Sequence, residues 1–180
     1  MPSDFLAENE KKALELDARR KIYLIVKKSA GSHFREIERK SGLSTGPVKY
    51  HLDYLARAGL IKRGKKGNNV RYFPKEFTEE NREIMGFLRQ ESVRKIIIHI
   101  LTSNGCTHDD IVRAVSLSPS TVSWHLKKLE NAGALGSARH GRKTSYNLLV
   151  DKNRIADLLI SYQESFLDKL VDNVVEMWEI

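Results

Sequence analysis

The sequence predicts a mainly α fold with small β-hairpins (α+β), in which one module is used twice and a long C-terminal helix follows. Three observations predict it. The chain matches itself at an offset of 74 without a gap, with 17 identities in the 55 positions from 20 to 74. In both copies apolar residues recur at three- and four-residue steps, the period of a helix with one buried face. Each copy then carries a glycine that stops a helix, followed by two short extended runs around a basic tip.

The repeat sets the organisation. Arg20-Lys21-Ile22 recurs as Arg94-Lys95-Ile96, Leu43-Ser44 as Leu117-Ser118, His51-Leu52 as His125-Leu126, and Ala58-Gly59 as Ala132-Gly133. It predicts an N-terminal helix over residues 1–16, a first module over 17–75, a helical linker over 76–90, a second module over 91–150 and a C-terminal helix over 151–180.

In the first module Asp17 is the expected N-cap of a helix over 18–28, which Gly31 breaks. A second helix over 34–40 leads into the turn Ser41-Gly42-Leu43, where Gly42 suits a positive φ. Ser44 is the expected cap of a third helix over 45–58, with Val48, Leu52 and Leu55 facing the core and Gly59 ending it. Strands over 60–63 and 70–73 flank a tip over 64–69. The second module repeats this with helices over 92–102 and 108–115 and the turn Ser116-Leu117-Ser118. Its third helix opens on Pro119 and stops at Gly133, and strands over 134–138 and 144–150 flank a tip over 139–143. In the linker, Thr78 is the expected cap, with Glu79 and Glu80 at the positive end of its helix.

Residues 151–180 contain neither Pro nor Gly, and Ile155, Leu159, Tyr162, Phe166, Leu170, Val174 and Met177 form an apolar stripe. That stripe exceeds what one small module covers, so it predicts a homodimer through this helix; the alternative is that the helix packs between the two modules of its own chain.

The formal charge of +8 divides into +12 over residues 1–150 and −4 over 151–180. A basic body points to a polyanion. Two helices joined by a three-residue turn and followed by a hairpin form a helix-turn-helix with a wing, whose third helix enters a duplex major groove. The segments SGLSTGPVKYHLDYLARAGLI (41–61) and SLSPSTVSWHLKKLENAGAL (116–135) resemble the recognition-helix signature of MarR- and ArsR-type winged-helix regulators. Their tandem arrangement is similar to that of archaeal tandem winged-helix transcription regulators, some of them proposed to act on archaellum (motility) genes. The resemblance implies a sequence-specific double-stranded DNA-binding transcription regulator with two winged helix-turn-helix modules.

The residues expected to meet DNA from the first module are Ser44, Thr45, Gly46, Lys49, Tyr50 and Asp53 on the helix and Arg63, Lys65, Lys66, Asn68 and Arg71 on the wing. From the second they are Ser118, Ser120, Ser123, Trp124 and Lys127, with wing residues Arg139, His140, Arg142 and Lys143. Both wings are acid-free, which suits phosphates or a minor groove. Tyr50 and Trp124 suit either DNA contact or packing between modules, and His51 and His125 suit a structural role. The competing reading is a winged-helix scaffold making protein contacts in a transcription or chromosome complex, and basal transcription machinery is a further expected partner.

Other chemistries find little support. Cys106 and His108 are not joined by a second Cys/His cluster, so neither a metal nor a cofactor is expected, and a redox role for Cys106 lacks a nearby base. Nucleophile-elbow, phosphate-loop and dinucleotide motifs are missing, so the chain is not expected to be an enzyme. One cysteine, no signal-peptide core and no long uncharged apolar run predict a cytoplasmic protein away from membranes.

Overall fold

A computed structural model describes residues 10–66, 69–103, 105–141, 143–163 and 166. The chain divides into two compact units, Met1–Arg82 and Glu83–Ile180.

In the first unit α1 (Asp17–Lys28) is followed by β1 (Ser32–His33), α2 (Phe34–Ser41), α3 (Thr45–Arg57), β2 (Ile61–Lys66) and β3 (Asn69–Pro74). The strands form one antiparallel sheet in the order β1-β3-β2. Ile22 and Val26 of α1, Ile37 of α2, and Val48, Leu52 and Leu55 of α3 close a common core with Leu60, Ile61 and Tyr72. Each such side chain contributes roughly 1.5–3 kcal/mol by leaving water. This core holds α3 by one face and leaves its other face outward.

The turns follow from backbone chemistry. Gly42 ends α2 at φ 69° and Gly59 follows α3 at φ 69°, both in the left-handed region. After α3, Leu60 N–H reaches Leu55 O at 3.0 Å and Gly59 N–H reaches Ala56 O at 3.1 Å, closing the helix end and turning the chain into β2. Gly64 serves a different need: a Cβ there would stand 2.9 Å from the buried ring of Phe73.

α4 (Glu79–Leu88) spans the division between the units, with Thr78 Oγ1 accepting Asn81 N–H at 3.1 Å as the linker cap requires. The second unit continues with α5 (Glu91–Thr102), β4 (Cys106–Thr107), α6 (His108–Val115), α7 (Pro119–Asn131), β5 (Leu135–His140), β6 (Lys143–Leu148) and α8 (Lys152–Ser161), and its sheet order is β4-β6-β5. α5 is buried on more of its circumference than α1. Ile97, Ile98 and Leu101 join Val93, Ile96 and Ile100 inside, whereas α1 keeps Arg20, Lys21, Lys27 and Lys28 exposed.

Several expectations are corrected. Asp17 is the first helical residue of α1 and not its cap; Leu16 holds that place without a side-chain bond. Ser44 occupies the N-cap of α3, but only its carbonyl is used, accepting Val48 N–H at 3.2 Å. The first hairpin is longer than its sequence signal and the second is shifted toward its tip, pairing out to Lys66↔Asn69 and His140↔Lys143, because ladder bonds extend a polar strand that side-chain patterning does not mark. The two-residue strands β1 and β4 carry no sequence signal at all.

The C-terminal helix ends at Ser161, followed by Tyr162 at φ −122°, ψ 29°. No Pro or Gly accounts for this stop, and Phe166 beyond it is buried, its ring 5.1 Å from the Arg94 guanidinium carbon. Ile155 and Leu159 are likewise buried and Tyr162 is half-buried, so the first part of the expected dimer stripe is already covered by the chain itself. Leu170, Val174 and Met177 lie outside the described residues.

Candidate nucleic-acid interface

The outward face of α3 presents Thr45, Gly46, Lys49 and Tyr50, all exposed, with Asp53 half-buried one turn on. α7 presents Pro119, Ser120, Ser123, Trp124 and Lys127. Ser118 caps α7, its Oγ accepting Thr121 N–H at 3.2 Å, and stands 3.1 Å from Ser120 Oγ. Tyr50 is 55% exposed and Trp124 61% exposed, so neither is used as core.

Beneath each ring lies a buried histidine. Tyr50 meets His51 edge-on with centroids 5.2 Å apart, and Trp124 meets His125 at 4.9 Å. Burial lowers both histidine pKa values, helped by Arg19 at His51 and Lys128 at His125, which favours the neutral imidazoles. The Nδ1 atoms of both are buried without a hydrogen-bond partner. Both histidines lie beneath the helix surface, with no Nδ1 hydrogen bond to the first helix among the described residues.

The two modules tie the second helix to the recognition helix by different chemistry. In the first, Glu38 accepts from Thr45 Oγ1 and from Arg35 Nη1 at 2.8 Å, and these bonds, Thr45 first, lower its pKa. In the second, His108 Nε2 lies 2.9 Å from Ser123 Oγ and 3.3 Å from Pro119 O. Thr107 and Asp110 form a reciprocal capping box at the start of α6, which together with Arg113 brings the Asp110 carboxyl down to about 2. Sequence reading missed Glu38 and His108, because their function depends on where the two helices cross.

The wing cations divide into two kinds. Arg63 is ion-paired to Asp53, joining wing to recognition helix, and Arg71 Nη1 donates to Gly31 O at 2.7 Å. Lys62 Nζ donates to Phe77 O at 2.7 Å. Lys65, Arg139 and Lys143 are exposed, with Arg139 Nε donating to Gly141 O at 3.2 Å. Asn68 and Arg142, and the side chains of Lys66 and His140, lie outside the described residues. Cys106 is buried with its thiol 4.0 Å from Tyr146 O, and burial, then the Asp110 carboxylate, pushes its pKa up. That is the opposite of a reactive thiolate.

This arrangement agrees with the protein families that the chain matches. Residues 16–85 match an N-terminal HTH domain and residues 89–135 match a winged helix-turn-helix DNA-binding domain. The chain thus carries two helix-turn-helix modules, the second of them matching a winged helix-turn-helix DNA-binding domain. It is also similar to an uncharacterized HTH-type transcriptional regulator of Methanocaldococcus jannaschii, 31% identical over 138 residues, which is 77% of this chain. The chain spans only 35% of that relative's length. In the winged helix-turn-helix architecture α3 and α7 stand at the places of the recognition helices, and the β2–β3 and β5–β6 hairpins at those of the wings.

Proposed function

We propose that the chain is a sequence-specific, duplex-DNA-binding transcription regulator that places α3 and α7 in major grooves and its wings on neighbouring phosphates. The observation carrying this reading is the same surface built twice: an exposed polar and aromatic helix face beside a hairpin with exposed cations. A major groove is about 12 Å wide and admits one such helix, while cations on a hairpin fix its register on the backbone. Glu38 and His108 contribute by holding each recognition helix against its neighbour.

The test is an anisotropy titration of the full chain against selected and random duplexes across a salt series. Each phosphate neutralised adds about −0.9 to the slope of log K against log salt. A steep slope with a selected site at least ~10³-fold tighter than random duplex supports the reading. A flat slope, or equal affinity for all duplexes, overturns it in favour of a protein-contact scaffold.

Two finer parts of the proposal have narrower support. A homodimer is supported by the apolar spacing of Leu170, Val174 and Met177 within the acidic C-terminal stretch. Action on archaellum genes is supported by the resemblance to archaeal tandem regulators alone, and mapping of chromatin-bound sites in cells tests it directly.

A further inference from the structure

We infer that the exposed ring of each recognition helix, Tyr50 and Trp124, reads thymine through its 5-methyl group, so that the operator carries a contacted thymine for each module. This rests on the DNA-binding reading above and specifies which chemical group the site recognises.

Each of these helices carries one large exposed ring that its core does not use. Among the described residues the large apolar side chains left exposed include Tyr50 and Trp124, and only these two stand at equivalent positions of the repeat. Each is the sixth residue of a 13-residue recognition helix, in the N-terminal half that approaches base edges. Beside the rings on that face stand the polar residues Thr45, Lys49, Ser120 and Ser123 with the small Gly46 and Pro119, so each ring is the one large apolar group there.

Each ring is also held in place. The edge-on contacts with His51 and His125 have nearly the same geometry, with interplanar angles of 67° and 68°. At Trp124 the Lys128 ammonium adds a second contact, 5.3 Å from the ring centroid. Each ring, resting edge-on on a buried imidazole, presents a fixed apolar face with a single polar group at its edge, the Tyr50 hydroxyl or the Trp124 indole N–H. On the edges of the bases in the major groove, the thymine methyl is the apolar group available, and it distinguishes T from C and from uracil. The same device recurs in modules whose other helix contacts differ, which ties it to a feature both half-sites share.

The experiment starts from a duplex obtained by binding-site selection with the full chain. Each thymine is replaced in turn by deoxyuracil, which removes one methyl and leaves pairing intact. Affinity is expected to fall about fourfold at each contacted thymine, the effect of one buried methyl. Tyr50→Ala and Trp124→Ala, with folding verified by thermal melts, should bind T and U duplexes equally at the corresponding half-site. Tyr50→Phe and Trp124→Phe should keep the discrimination, since a ring remains. If the wild-type chain ignores every T-to-U change while still preferring its selected site, the methyl reading falls and the DNA-binding reading stands. If the Phe variants lose affinity for T and U duplexes alike, the hydroxyl or indole N–H makes the contact, and the inference is overturned. Failure to bind any duplex would remove the DNA-binding reading itself.

Discussion

Ser116 shows what one backbone position costs. It holds φ 54°, the left-handed conformation that Gly42 supplies in the first module, and among the described residues no other non-glycine has positive φ. A side chain there is strained by roughly 1–2 kcal/mol, partly offset by the greater freedom a glycine loses on folding. Ser116→Gly should therefore raise stability by about 0.5–1 kcal/mol in urea unfolding, with DNA affinity unchanged. His51 and His125 give a pH dependence with a definite sign. Their folded pKa values are lowered from the ordinary 6.5, so as pH drops below that value the unfolded chain takes up protons first. Stability should be full at pH 7 and decline between about pH 6.5 and the lowered folded pKa values. A double His51→Gln/His125→Gln variant should flatten that decline in unfolding midpoints measured from pH 7 to 5. Asp110 acts in a lower window: its stabilisation is complete above the unfolded 3.8 and is lost as pH falls toward about 2.

The elements of the interface respond differently to charge. Asp53 and Arg63 are each more than a third exposed, so their ion pair adds little to stability, about 0–1 kcal/mol. Its larger effect is to occupy a cation that would otherwise reach phosphate. Asp53→Asn should release Arg63, tighten binding to all duplexes several-fold, and steepen the salt slope by about 0.9. An unchanged slope would mean that Arg63 does not reach the backbone. On the wings, Lys65→Ala with Lys66→Ala should weaken every duplex alike, whereas Lys49→Ala should alter base preference. Finding base preference changed by the wing variants would reverse the assignment of roles between strand and helix.

At the scale of the whole molecule, the repeated modules are not equivalent. The first keeps its opening helix cationic and exposed, while the second buries α5 on most sides beneath apolar residues. Burial of Ile155, Leu159 and Phe166 moves the proposed dimer contact beyond them, onto residues 167–180. A chain ending at Phe166 should then sediment as a monomer with its melting transition retained, while the full chain sediments as a dimer. Equal sedimentation of the two would remove the dimer.

The fold class, with a helix-turn-helix and hairpin used twice, was legible in the sequence because the signals are local and doubled. Helical periodicity, Gly42, Gly59 and Gly133 as stops, and the 74-residue offset all act within a few residues or repeat them. These determined a winged helix-turn-helix twice over, and the residues on the outer face of each third helix. What only the tertiary structure decided involves residues distant in the chain. Asp53 meets Arg63 across helix and wing, Arg71 reaches back to the Gly31 carbonyl, and Glu38 takes Thr45. Phe166, outside α8, is buried beside Arg94 although no local residue interrupts the apolar pattern. Propensity and periodicity describe how a segment folds against an unspecified core. Which charge is paired, and which apolar residue is already covered, depends on what the rest of the chain brings beside it.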